Sequence, residues 1–423
     1  MMRYLLAAAV ALLAAAPASG QAACDLPANS KVATSTDKAA LQKGLDCLKA
    51  RIKGREDSIV GLTAANKIDA TQRDARAARI AKLNAQPATP APSPTPTPTP
   101  KPPAPVTPPL GQGKAAIASN FDTSAFISTG LAIPGTAAPD VVGAFRLICQ
   151  PLPGSNRLGF VDPMVWPGVV GKSELHEFAG NTAVDENSTY ETLRVKGDSS
   201  CMNLLNRSSY WHQALLTGDD KYVISFDYIS LYYKRFPVWS PLCARAIYGC
   251  VNLPNGLQAK ADVTSFRCFT NQIHRDTIDE AIKDCGGEGQ VLASITFGDC
   301  WNGQLDSPDH YSHLIPFSGK KEAPWELECK AGYNWIIPQL TQTIAWTIKK
   351  SDGAVHFSTG PGHKLHGNYQ LAWDQPTLDT AMDNCINKLL NCSDGDLGNG
   401  SILKRWAGFG YLTEPRLVLA PLR

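Results

Sequence analysis

Hydrophobic and polar positions follow three different rules along this chain. Between residues 31 and 85, Leu41, Leu45, Leu48 and Ile52 recur at intervals of four, three and four, and Ile59 and Leu62 continue the series. That spacing predicts a helix with one apolar stripe, and the Ala- and Arg-rich run Arg73–Ile80 adds helix propensity. The stripe would suit a helical hairpin, a short coiled coil that forms oligomers, or a plain spacer helix. From 87 to 109 the pattern dissolves into Pro, Thr and Ala, including Pro92–Pro100. Proline has a fixed φ and no N–H to donate, so this stretch is neither helix nor inner strand. At about 3.1 Å per residue it makes an extended spacer of roughly 70 Å.

Beyond residue 114 the period becomes two. Tyr222, Ile224, Phe226, Tyr228 and Tyr232 fall on one face of a predicted strand over 222–233, and 290–297 and 342–348 read likewise. Helical spacing returns over 276–285 and 377–390, and Asn-Gly pairs at Asn255, Asn302 and Asn399 mark turns. The expectation is a β-rich α+β domain, sandwich-like, with short peripheral helices and disulfide-pinned loops. An N-terminal helical segment and a Pro/Thr linker precede it. The boundaries are a signal peptide at 1–22, the helical segment at 24–86, the linker at 87–113 and the globular domain at 114–423.

The start of the chain fits a secretory signal: Arg3, the apolar run Tyr4–Ala16, then small residues near Gly20 and Ala22. The run is too short to span a bilayer comfortably, and no later stretch is long and apolar enough. The mature protein is therefore expected outside the cytoplasm: periplasmic, cell-surface or secreted. Gln21-Ala22-Ala23-Cys24 is disfavoured as a lipidation site because it lacks an aliphatic residue three positions before the cysteine. Twelve cysteines in an exported chain fit six disulfides. Two of them, Cys24 and Cys47, lie near the N-terminus and ten lie between Cys149 and Cys392, so each group can pair internally. A net charge of +2 offers no electrostatic case for nucleic acid.

Candidate chemistry is densest in Phe297–His313, which holds three carboxylates, two histidines, a cysteine and a tryptophan. A packing core does not need that mixture. His310 and His313 sit three apart, as do His363 and His366, an interval that metal sites use on helices. Ser307-Pro308 and Gly360-Pro361-Gly362 argue instead for loops. The sequence has no Gly-x-Ser-x-Gly elbow, P-loop, dinucleotide fingerprint or His-Glu-x-x-His. A mature N-terminal histidine is not expected, and paired cysteines leave no thiol nucleophile.

Several segments carry a family resemblance: Gly143–Cys149, Asp162–Gly168, Ser173–Phe178, Ser209–Leu215, Phe266–Phe269, Phe297–His313, Pro338–Leu340, Phe357–Gly360, His366–Tyr369 and Ala381–Cys385. Together they resemble the DUF1996 family of secreted fungal and bacterial proteins, over about Gly143 to Cys392. The resemblance implies an exported protein, in fungi often joined to carbohydrate-binding modules, and supplies no reaction. Where the family usually reads His-x-His, this chain has Glu174-Leu175-His176. Where the family reads His-Gly-Asp-Tyr, it has His366-Gly367-Asn368-Tyr369. These departures rank a metal site below a carboxylate site.

The catalytic candidates are Asp162, Glu174, His176, Asp306, Asp309, His310, His313 and His366. Glycoside hydrolysis needs an acid to protonate the leaving oxygen and a second carboxylate as nucleophile or base. Asp162 and Asp306 could equally cap turns, and Asp309 could orient His310. The histidines are open to three readings: acid–base catalysis, loop hydrogen bonding, or a metal held by His176, His310, His313 and His366. No other cofactor is implied. Trp166, Tyr210, Trp211, Trp301, Asn368 and Trp373 are candidates to bind substrate, since pyranose faces stack on aromatic rings. Core packing explains each ring as well. The leading expectation is a hydrolase of glycosidic bonds acting on a polysaccharide or cell-envelope glycan. Two alternatives are a non-catalytic carbohydrate-binding or envelope-associated module, oligomerised by its helix, and a metal-dependent hydrolase with His/Asp ligands.

Overall fold

The structure, a computed structural model, describes residues 113–422 except 130–135, 138–142, 236–242, 244–245, 247, 319–327, 361–364, 407–408 and 410–415. The signal peptide, the helical segment, nearly all of the linker, His363 and the Cys24/Cys47 pair lie outside the described residues. What is described is β-rich, with few and short helices.

Eight strands place the site. They are β1 (Gly143–Cys149), β2 (His176–Gly180), β3 (Ser209–Gln213), β4 (Tyr228–Arg235), β5 (Gln258–Cys268), β6 (Gly289–Thr296), β7 (Gln339–Ile348) and β8 (His366–Gln370). One layer runs β1-β4-β7-β6-β5 and the other β5-β8-β3-β2, all antiparallel. Strand β5 belongs to both. Residues 258–262 pair with β8 and residues 263–268 with β6, and the register shifts between Val263 and Ser265. A bulge of this kind bends a strand and lets it change sheets.

The bend folds the layers onto one another. Tyr210 of β3 and Tyr233 of β4 are far apart in strand order, yet their hydroxyls are 3.0 Å apart. Phe297 meets Tyr369 edge-on at 4.6 Å, and His212 meets Trp346 at 5.4 Å. The apolar face of the first layer comes from period-two alternation: Ile229, Leu231 and Tyr233 of β4 are buried while Tyr228, Ser230, Tyr232 and Lys234 are less so. Strands β2, β3 and β8 are instead buried on both faces.

Three α-helices lie among the described residues: α1 (Tyr190–Val195), α2 (Ile278–Asp284) and α3 (Gln375–Ala381). Thr189 and Thr277 close capping boxes with Thr192 and Glu280, and Asp374 caps α3. Helix α2 and strands β6 and β7 fall where the periodicity puts them. Two expectations are corrected. The strand over 222–233 breaks in two, because Ser225 turns to Glu177 and Asp227 to Gln290 and Thr347. The helix over 377–390 is α3, which starts at Gln375 and continues as a π-turn over Met382–Ile386. Its predicted end is a strand, Leu390–Cys392, tied back by Cys385–Cys392 and paired with β1.

All ten cysteines from Cys149 onward pair among themselves, as Cys149–Cys201, Cys243–Cys250, Cys268–Cys285, Cys300–Cys329 and Cys385–Cys392. Five disulfides are compatible with an exported protein, and no described helix is long and apolar enough to cross a membrane.

Candidate functional site

In extended backbone, residues two apart share a face. Glu174, two residues before β2, and His176, its first residue, therefore project together. His176 lies opposite Gln213, and Gly367 lies opposite His212, so His366 falls on the other side of Gln213 in the same row. The two imidazoles lean over Gln213 until their ring centres are 5.9 Å apart. Glu174 Oε1 stands 3.5 Å from His176 Nε2 and 3.2 Å from His366 Nε2. Behind the cluster, Gly367 lets the strand close on the other layer, since a Cβ there would meet Ile295 Cδ1 at 2.7 Å and Gln342 Oε1 at 2.9 Å.

Both rings are oriented from behind. His176 Nδ1 meets the Val161 carbonyl at 2.9 Å. The Gln213 side chain straddles His366: its Oε1 accepts the His366 N–H at 2.7 Å and its amide nitrogen contacts Nδ1. Burial pushes the Glu174 carboxyl up, but the imidazoles against it and the charge of His176 outweigh burial. The carboxyl is held well below the usual carboxylate range. Burial lowers the His366 imidazole, against the pull of Glu174.

A second pair sits on the same face. The Leu305 and His310 carbonyls accept from Gln258 N–H at 3.0 Å and Lys260 N–H at 2.9 Å, which lays the 305–310 loop along β5. There His310 Nδ1 is 2.9 Å from Asp306 Oδ1, and Gln258 Nε2 donates to Asp306 Oδ2 at 2.6 Å. Burial raises the Asp306 carboxyl, but the hydrogen bonds from His310 and Gln258 leave it lowered overall. His310 adopts φ +60°, an uncommon conformation for a side-chain-bearing residue and one that clusters at functional positions. The pair faces a hollow of about 600 Å³, and Asp306 also lines a neighbouring cleft of about 390 Å³ with Gln258 and Gln370.

The remaining carboxylate and histidine candidates are placed elsewhere or fully engaged. Asp162 is buried and accepts from Met164 N–H at 3.1 Å and Val165 N–H at 2.9 Å, as a turn cap. Asp309 accepts from Ser307 Oγ, Tyr311 N, and both N and Oγ of Ser312, so it organises its own loop and not the His310 ring. Those donors, Ser312 N–H first, hold its carboxyl well below the usual range. Both ring nitrogens of His313 are taken, by Ser307 Oγ at 2.9 Å and the Gln258 carbonyl at 2.8 Å. Of the four histidines read as a metal set, only His176 and His366 come together.

Among the aromatic candidates, Trp301 packs on Trp335, and Trp373 donates to the Tyr233 hydroxyl at 3.2 Å. With Tyr210, these rings are spent on the core. Trp166 carries the Lys172 ammonium 3.7 Å over its ring. Trp211 stacks on Phe178 on the site face of β3, beside Asn368 of β8.

That face has a further property. Seven buried polar atoms on it lack a hydrogen-bond partner: His176 Nε2, Ser209 Oγ, Trp211 Nε1, His366 Nε2, Asn368 Oδ1 and Nδ2, and Gln370 Oε1. Buried polar groups are ordinarily satisfied, so this concentration points to water or a polar ligand. Lys260, Asp262 and Tyr311, absent from the sequence candidates, border the same face. Tyr311 Oη donates to Asp262 at 3.1 Å. The alternation Gln258-Ala259-Lys260-Ala261-Asp262 is the signal that marks one polar strand face.

A family model described as a domain of unknown function, DUF1996, matches residues 162–373, a span that contains both the Glu174–His176–His366 cluster and the Asp306–His310 pair. No curated protein and no solved structure matches the chain.

Proposed function

This chain belongs to the DUF1996 family, and from that premise and the site geometry we propose an exported protein that hydrolyses glycosidic bonds in a polysaccharide or cell-envelope glycan. The observation that carries the reading is Glu174 held between two imidazoles, on the same sheet face as an Asp–His pair. Glu174, kept ionised, serves as base or nucleophile and not as the acid. Asp306 is committed to His310 and Gln258, so the proton carrier at that end is the imidazole. In this reading His310 protonates the leaving oxygen while Asp306 orients the ring and stabilises its charge. The scaffold is read as sandwich-like, and the Pro/Thr linker as a stalk for display.

Release of reducing ends from a panel of cell-wall and capsular glycans tests this. Turnover by the full-length mature protein should fall at least about 100-fold in Glu174→Gln and in His310→Asn. No release by the wild type from any glycan would sink the catalytic reading.

A binding role without turnover is favoured by one observation, the row of unpartnered buried Ser, Trp, Asn and Gln atoms. Saturable glycan binding that survives Glu174→Gln, with no product formed, would select it. Light scattering of the mature chain tests the oligomer proposed for its N-terminal helix; a monomer removes that part.

A further inference from the structure

We infer that Glu174, His176 and His366 bind one divalent transition-metal ion, with Zn²⁺ as the probe. The inference uses the same three side chains as the functional reading and does not require a glycan substrate; with the ion bound Glu174 is a ligand, so the base or nucleophile role proposed for it belongs to the metal-free site. One ligand atom from each residue lies within 4.8 Å of the other two. Metal bonds of about 2.0–2.1 Å in a tetrahedral shell set neighbouring ligand atoms about 3.3 Å apart. The Glu174–His176 and Glu174–His366 distances, 3.5 and 3.2 Å, already have that spacing. The edge between the imidazoles is the one that must adjust on binding.

A second observation is independent of spacing. His176 is fully buried and His366 is 7 % exposed, yet the Nε2 atom of each meets only the Glu174 carboxylate, at 3.5 and 3.2 Å, in a contact that lacks hydrogen-bond geometry. Both atoms aim at the same carboxylate. A buried polar atom left unsatisfied is costly, and a cation between the three groups satisfies all of them at once. The Glu174 side chain is 26 % exposed, which leaves an entry path and room for a water ligand. Two histidines and a glutamate with an open position form a donor set that catalytic zinc uses. Nitrogen donors also disfavour Mg²⁺ and Ca²⁺.

The outer contacts are unequal. The Val161 carbonyl accepts a hydrogen bond from His176 Nδ1–H, so Nε2 is the ring nitrogen that faces Glu174 and would bind the ion from the neutral imidazole. Gln213 presents its amide nitrogen to His366 Nδ1, which favours a proton on the His366 Nε2. Binding therefore has to move that proton to Nδ1 and turn the Gln213 oxygen toward it. Gln213 is thus the positioning residue that sets affinity. A carboxylate at 213 would accept from both the His366 N–H and Nδ1–H.

Calorimetric titration of the untagged, chelator-stripped mature chain with ZnCl₂ tests the site, with Mg²⁺ and Ca²⁺ as controls. The expected result is one equivalent of Zn²⁺ and no heat from the controls. Glu174→Ala, at a part-exposed side chain that spares the core, should weaken binding by more than the roughly 10–100-fold cost of losing an outer partner, and Gln213→Glu should tighten it about 10-fold. His274→Ala, at an exposed histidine, should change nothing. Absence of saturable Zn²⁺ binding tighter than about 10 μM, or Glu174→Ala binding as tightly as wild type, would overturn the inference. Heat reports on the ion and reducing ends report on the glycan, so either reading can fail alone.

Discussion

Burial pushes the Asp299 carboxyl up to about 7, even though Phe317 N–H and Gln339 Nε2–H donate to it. The unfolded chain releases this proton near the ordinary value of 3.8. Between those values the folded state holds a proton that the unfolded state has lost. The stabilisation is therefore full below about 4 and is lost as pH rises through 7. Asp299→Asn should remove that slope and raise Tm at pH 8, with Gln339 turning its amide oxygen toward the new Asn; melting curves from pH 4 to 8 check both. Asp162 makes a contrasting case. Asp162→Ala leaves one buried and one half-buried N–H group without their acceptor and should cost about 1–3 kcal/mol in denaturant unfolding. Activity per folded molecule should stay unchanged, because the carboxylate is a cap. Both residues sit in motifs rich in chemistry-bearing types, and residue type alone does not separate a cap from a catalyst.

At the scale of elements, β8 couples the core to the site. His366 and Asn368 face the site, while Gly367 faces the other layer against Ile295 and Gln342. Gly367→Ala should force those side chains apart, cost about 1–3 kcal/mol in denaturant unfolding and weaken Zn²⁺ binding by displacing His366. The alternation His-Gly-Asn-Tyr-Gln identifies β8 as a strand with a polar face. It does not show that His366 lands beside Gln213, because register depends on partner strands far away in sequence. Strand β5 was equally hard to read: its bulge at Val263–Ser265, which bends it between layers, has no Gly or Pro to announce it.

For the whole molecule, the disulfides and the buried titratable groups set stability. Cys149–Cys201 spans 52 residues and Cys385–Cys392 spans 7. Loop-closure entropy makes them worth about 4 and about 2 kcal/mol respectively. Replacing the first pair with serine should lower the denaturation midpoint more than replacing the second. On the acid side, burial holds the His212 imidazole down to about 3, against an ordinary 6.5. Its folded pKa is depressed and the unfolded imidazole protonates first, so stability is lost as pH falls from about 6.5 toward 3. Glu174, with its carboxyl held low, adds a loss in the same direction. The Asp299 slope opposes both, and an Asp299→Asn protein should show the acid-side decline more steeply.

Local chemistry was enough to foresee several things about this protein. The β-rich class, strands β6 and β7, helix α2, the internal pairing of the later cysteines and the DUF1996 membership all follow from periodicity, counts and motifs within short windows. The members of the central cluster were also named individually, as polar residues in polar motifs. Tertiary structure alone decided which of them meet. Glu174 and His176 are joined to His366 by strand register across nearly two hundred residues, and Asp162, Asp309 and His313 are diverted by hydrogen bonds to their own loops or to β5. A sequence shows which groups could carry charge or protons; convergence is a property of pairing and packing, which no single segment contains.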